Sequence, residues 1–474
     1  MWKCLGFSVV LFSFLENGEC YRRGLKPTVY EHSHYEDEGN KFLCLVLGLC
    51  AYFPSSQTKA NMKVIYKWNY LEYEYNTEQE RRAAIDSEEF VPGKGSPIDV
   101  NVFYGHHPSE KKMFVTIPRF QKGVPFTVGT VTNRTRNGNP IIAPFPSWDW
   151  YRNVEACGPR RIVSVYRTAI DRCGRLWVLD NGVLLDKMAC QPQILAFDIR
   201  TGRLMYRHEL SKDITTDVTL MVTIMVDVRD SCDDVFIYSA DCQGNTIYVT
   251  DVNKDVSWAV KDKTMYPWPT YGTYKILGTI FDIMDGVLGM ALEPYHPGKD
   301  RKLYYHAMSS PTENWVYTSH LRNQTMFSGG ELSTPQIFHT YEGQRSTQSA
   351  AEVIDSKGTM FFGLHGKQEL ACFDTSGEYG SRSSMGVIER NDETLPFVSG
   401  INVAKNSRGI EELWAVTTPF QKVYTDTLDT KEINFRILGA KIDDLTYGSV
   451  CRHGSSSPPH KGHFHHPPQP GHGY

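Results

Sequence analysis

Six short apolar segments of this chain end in, or run into, a polar residue that could do chemistry. They are MFVTIPR with Arg119, LWVLDNG with Asp180, VFIYSAD with Asp241, LYYHAMS with His306, MFFGLHG with His365 and LWAVTTP with Thr417, then Thr418. An imidazole titrates near neutrality, so His365 can take a proton from one atom and deliver one to another. Asp180 or Asp241 could be its acidic partner. The Arg119 guanidinium could grip a carboxylate with two hydrogen bonds. Each also has a plainer reading: an ordinary channel histidine, aspartates that cap turns, and an arginine in a buried ion pair between structural units. No GxSxG motif is present, and no cysteine shows the electropositive setting a reactive thiol needs, so nothing points to nucleophilic catalysis. No loop is acidic enough for calcium. The sequence therefore points to proton transfer or binding, with no cofactor and no metal.

These segments recur at intervals of 53–68 residues. Turn sequences precede most of them, among them Asp171-Arg-Cys-Gly174, Asp230-Ser-Cys-Asp233 and Asp355-Ser-Lys-Gly358. Several are followed by a second apolar run ending in Asp, as in ILAFDIRTG (194–202) and ELACFDTSG (369–377). Two such runs joined by a polar turn form a hairpin. A repeat of this length made of short strands predicts propeller blades. Six copies predict an all-β, six-bladed β-propeller. Its axis would gather one strand end from each blade, so ligand chemistry belongs there. The segment 77–90, TEQERRAAIDSEEF, is rich in helix formers and followed by Pro92; it predicts a short N-terminal helical decoration.

The chain has 474 residues and a net charge of −4, which excludes a bulk basic field for nucleic acid or an anionic membrane. No apolar run is long enough to span a bilayer. Two shorter runs, Leu5–Leu15 and Phe42–Phe53, have the length of a signal-peptide core. Residues 1–60 are read as a leader region, with the first part a spurious upstream extension, and the protein as secreted. The propeller is expected over 64–451. Residues 452–474, with six His and five Pro after Arg452, are expected to be a disordered tail whose imidazoles could chelate metal. Asn133 and Asn323 begin glycosylation sequons. Seven cysteines lie beyond the leader: Cys157, Cys173, Cys190, Cys232, Cys242, Cys372 and Cys451. None forms a CxxC pair, and scattered cysteines in a secreted chain predict disulfides.

The stretches YKWNYLEYEY (66–75), MFVTIPRFQKGVPFTVGTV (113–131), VSVYRTAIDRCGRLWVLDNG (163–182), CDDVFIYSAD (232–241) and FDIMDGVLGMAL (281–292) resemble the insect Yellow and major royal jelly protein family. The likeness runs in order over about residues 64–451. It implies a secreted six-bladed propeller acting in pigmentation or cuticle maturation. Some members convert dopachrome in the melanin pathway, and that rearrangement moves a proton from carbon and delivers one to oxygen. The residues suited to it here are His365 with Asp180 or Asp241. Other members bind biogenic amines, so the alternative is a non-catalytic binder of a small aromatic amine or catechol, or a structural cuticle protein. Gln348, Ser349 and Phe362 fall where the resemblance implies the amine pocket, Phe362 offering a ring face to a cation. The chain departs from the family at Gly343-Gln-Arg-Ser346 and at Gly363. Relatives rarely carry a cysteine where Cys242 stands, which marks it as the unpaired thiol and leaves six that could form three bridges.

Overall fold

The computed structural model describes residues 36–37, 40–44, 50–54, 60–105, 107–329 and 334–452. The chain divides into two units, residues 1–57 and 58–474. In the first, strands Glu36–Asp37, Asn40–Cys44 and Cys50–Pro54 form an antiparallel sheet. The expected signal-peptide cleavage site and the tail beyond Arg452 lie outside the described residues.

The second unit is a six-bladed β-propeller. Its first blade has five strands and the other five blades have four each. Each blade begins on an inner strand: Asp99–Phe103, Val165–Ile170, Met221–Val228, Val287–Leu292, Glu352–Ile354 and Val398–Lys405. Each inner strand packs against the inner strands of both neighbouring blades, which closes the ring around an axis. The next strand outward is the recurring apolar segment, for example Arg175–Asp180 and Thr359–Leu364. Leu176, Trp177, Val178 and Leu179 are fully buried. Both faces of that strand are covered by neighbouring blades, so an uninterrupted apolar run fits it.

The turns form as their composition predicts. Asp171 Oδ1 accepts the backbone N–H groups of Cys173 and Arg175. Gly174 holds φ +75°, a conformation in which a side chain would be strained. The expected helix spans Glu78–Asp86, with Thr77 Oγ1 accepting the Glu80 N–H as its N-cap.

The last blade draws on both ends of the unit. Strand Lys63–Trp68 pairs with Phe435–Lys441, completing a sheet whose other two strands are Glu411–Thr417 and Val398–Lys405. Three disulfides join Cys157 to Cys190, Cys173 to Cys232 and Cys372 to Cys451. Cys242 is free and buried, the unpaired thiol that the resemblance marked.

One expectation needs correction. The recurring apolar segment is the second strand of each blade, and the axis is lined by the strands that precede it, which carry polar residues such as Asp99, Arg167, Thr223 and Asn402. The residues facing the channel are therefore different from those at the ends of the repeats.

Candidate functional site

The inner strands bring Asp99, Arg167, Thr223, Glu352 and Asn402 around a void of about 20 Å³, enough for roughly one water. Asp99 ties three blades together. It accepts hydrogen bonds from the Thr168 N–H (3.1 Å), Asn101 Nδ2 (2.9 Å) and Asn402 Nδ2 (2.9 Å). Burial raises its pKa to about 6, against the opposing pull of Arg167. Arg167 is buried and spans the channel. Its guanidinium donates to Thr223 Oγ1 at 2.6 Å and to the Ser399 carbonyl at 2.7 Å. Its Nε–H has no partner.

On one side of Arg167 opens a pocket of about 570 Å³ to which all six blades contribute. Its walls carry Phe120, Tyr166, Phe397, Phe420 and Tyr424, and its polar groups include Arg167, Cys242, Gln243, Asp282 and Asp285. Phe120 stacks on Tyr166 with centroids 6.3 Å apart, and Phe397 stacks on Phe420 at 4.8 Å. The Tyr424 hydroxyl donates to the Asp282 carbonyl at 3.0 Å, tying the short helix Phe420–Tyr424 to the hairpin strand Thr279–Asp282. Gln243 Nε2 donates to Asp285 Oδ1 at 2.8 Å. Burial raises the Asp285 pKa to about 6, and the Gln243 hydrogen bond only partly offsets it. An aromatic slot thus holds a carboxylate that changes charge near neutral pH, with a cationic donor at its floor. Such a set can bind a flat ring and move a proton on it.

Deeper in the ring, His306, Glu313, Arg345 and Glu352 form a buried quartet. His306 Nδ1 lies 3.1 Å from both Glu313 Oε2 and Glu352 Oε2, and Nε2 lies 3.2 Å from the Ser349 carbonyl. Arg345 meets Glu313 at 2.7 Å, and also bonds the Tyr379 hydroxyl and the Ser310 carbonyl. His306, Glu313 and Glu352 have a spacing that could hold a metal ion. His306 and Arg345 already stand against the two carboxylates. Burial and Arg345 push the His306 pKa down, but Glu352 and Glu313 outweigh them and the net shift is upward. Burial, then repulsion by Glu313, raises that of Glu352.

None of the residues expected from sequence to act catalytically or hold ligand lines the 570 Å³ pocket. His365 lies behind its wall, ring-stacked on Phe397 at 3.7 Å, with neither ring nitrogen hydrogen-bonded. Burial, then the charges of His306, Arg345 and Arg167, lower its pKa to about 3, so it is neutral. Asp180 is not brought to it. That carboxylate accepts from the backbone of Val163, Ser164 and Gly182 and from Gln193 Nε2, the turn-capping role. Asp241 caps likewise, accepting from the backbone of Leu220, Gln243 and Gly244. Arg119 spends its guanidinium on the carbonyls of Val124, Pro125, Ile162 and Val163. Gln348 Nε2 donates to the carbonyls of Tyr271 and Thr273, Ser349 lends its carbonyl to His306, and Phe362 is buried beside Tyr379. Asn133 and Asn323 are exposed. Sequence reasoning missed Arg167, Gln243, Asp285 and Phe397. The stretch FDIMDG, which holds Asp285, was available as a motif but carried only the resemblance.

The family model for major royal jelly proteins matches residues 163–451. Major royal jelly protein 9 of Apis mellifera is 32% identical over 425 residues, covering 86% of this chain and 95% of that protein. The chain belongs to the major royal jelly protein family. Other members it resembles are a protein named dopaminechrome tautomerase from Drosophila melanogaster, 29% identical over 83% of this chain and 85% of that one. Protein yellow of Drosophila subobscura is 28% identical over 90% of this chain and 74% of its own length. This member of the family has a six-bladed ring and, in its axial pocket, the free thiol of Cys242.

Proposed function

We propose that this protein works outside the cell on small catechol-derived aromatics in pigment or cuticle chemistry, as a tautomerase of aminochrome-type quinones. The observation that carries this is Asp285, a carboxylate with a pKa near neutrality in an aromatic pocket. Its likeness to a dopaminechrome tautomerase and to protein yellow supports the substrate class. The disulfides support an extracellular site of action.

The rearrangement removes a proton from a ring carbon and places one on a quinone oxygen. Asp285 in its ionised form is the base. Negative charge then grows on the quinone oxygen, and the unpartnered Arg167 Nε–H is the donor suited to receive it. The aromatic walls of the pocket, Phe120 and Tyr166 among them, hold the ring. This moves the proton-transfer role from His365, which is neutral and behind the wall, to Asp285.

The competing reading is a non-catalytic binder of aromatic amines. The aromatic walls with Asp282 and Asp285 favour it, since a ring-bearing ammonium would satisfy both. Dopaminechrome consumption by purified protein separates the two, with chelator present to silence metal held by the tail. The tautomerase shows saturable turnover above the spontaneous rate, and Asp285→Asn reduces it by about 10²–10⁴. Saturable binding of dopamine with no turnover leaves the binder.

A further inference from the structure

We propose that Cys242 is a covalent capture site: its thiol adds to the ring of an ortho-quinone bound in the axial pocket. This rests on the reading that the pocket takes catechol-derived quinones.

Cys242 is a free cysteine, and the other six cysteines described between residues 60 and 452 are paired in disulfides. It is 1% exposed, yet it lines the 570 Å³ pocket, so a reagent must enter that pocket to meet it. A second feature points to a ligand in the same place. Arg167 is 7% exposed, lines the same cavity, and keeps an Nε–H with no partner in the protein. A donor buried without a partner is costly, and a ligand oxygen would satisfy it. The aromatic walls supply the surface on which a flat ring rests.

The electrostatics give the thiol selectivity. Burial, then the charges of Asp285 and Asp241, keep it protonated, while Arg167 favours the thiolate. A protonated, buried thiol reacts slowly with reagents from bulk solvent. An ortho-quinone held in the slot meets it at high effective concentration. In the addition, the S–H proton passes to the Asp285 carboxylate as sulfur bonds to a ring carbon conjugated with a carbonyl. The electron pair moves onto the quinone oxygen, against the Arg167 N–H, and that oxygen takes up a proton. Loss of the proton on the substituted carbon, with protonation of the second oxygen, restores an aromatic catechol. The quinone is thereby reduced by two electrons and the thiol becomes an aryl thioether. No further oxidant or reductant enters. The adduct would fill the pocket, making the protein a single-use trap for quinone that escapes rearrangement.

The test exposes the full chain to 4-methyl-1,2-benzoquinone and maps adducts by digestion and mass spectrometry. The expected result is one quinone mass on the Cys242 peptide. Labelling should saturate with quinone concentration and slow when dopamine is added. Iodoacetamide should label the same residue at least tenfold more slowly, and Cys242→Ala should remove the label while the Tm stays near that of the parent. The competition by dopamine needs only the parent chain, so it stands if the variant misfolds. An unlabelled Cys242 at saturating quinone overturns the proposal. So does labelling linear in quinone, indifferent to dopamine and matched by iodoacetamide, which would mark an openly reachable thiol. Dopaminechrome turnover with Cys242 unlabelled sinks this inference alone. No turnover and no dopamine competition sinks the pocket reading with it.

Discussion

The axial pocket and the buried quartet both gather acids and a guanidinium inside the fold, but they differ in the countercharges and the open volume around them. In the quartet, Arg345 and His306 answer Glu313 and Glu352, and Tyr379, Ser310 and Ser349 take up further hydrogen bonds. In the pocket, Asp285 has one neutral side-chain donor and Arg167 has an idle N–H. The quartet also leaves Arg345 Nε, Glu313 Oε1 and both Glu352 oxygens without a hydrogen bond, but only Arg167 borders the 570 Å³ pocket. A buried charge that finds its partners inside the fold becomes a structural joint. One left incomplete beside open volume is ready for a ligand. Residue type alone does not separate these cases, since both contain the same chemistry.

The largest expected effect breaks the quartet. Arg345→Met should cost about 3–5 kcal/mol of stability, because it leaves buried carboxylate charge unanswered. Denaturant unfolding reads it. Asp285→Asn should leave stability unchanged or higher, since it removes a partly buried charge with no countercharge. Equal losses in the two variants would erase the distinction between the regions.

The next effect is on pH dependence. Asp285 must be ionised to act as a base, so kcat/KM should rise with pH through about 6 and level off above it. That inflection should vanish from any residual activity of Asp285→Asn. Stability should run the other way. Asp99 and Asp285 have folded-state pKa values of about 6, above the ordinary carboxyl value of about 3.9. Between these values the folded protein holds protons that the unfolded chain has released. Stability therefore falls as pH rises from about 4 to 6. Asp285→Asn should flatten part of that slope, measured by Tm across the window.

The smallest effect concerns His365. Its ring packs on Phe397 and carries no charge near neutrality, so His365→Gln should cost about 0.5–1.5 kcal/mol through lost stacking. The pH inflection of turnover should stay in place. A shifted or missing inflection would return the proton-transfer role to the histidine.

The architecture was legible because the second strand of every blade is covered on both sides and must be apolar, as LWVLDNG and MFFGLHG are. The site was less so. The inner strands are short and mixed in polarity, and Glu352–Ile354 has only three residues, too few to show a period. Arg167 lies among the alternating residues of VSVYRTAI, where nothing local distinguishes an axial arginine from a solvated one. Asp285 sits in a loop, and its character comes from the desolvation around it and from Gln243, remote in sequence. The residues at the ends of the apolar repeats stood out because they interrupt a pattern. Asp180 and Asp241 interrupt it to cap turns, and Arg119 to tie down carbonyls.

The pairing of Lys63–Trp68 with Phe435–Lys441 also sets a timetable for synthesis. The first of these strands leaves the ribosome early and must wait, with one edge open, until nearly the whole chain has followed. Only then does the ring latch around the pocket, walled by residues from Ile98 to Tyr424. A chain halted before Phe435 carries all six inner strands and every residue that walls the pocket, but its last blade is left unlatched from Lys63–Trp68. Truncation there should loosen the site rather than remove the residues that build it.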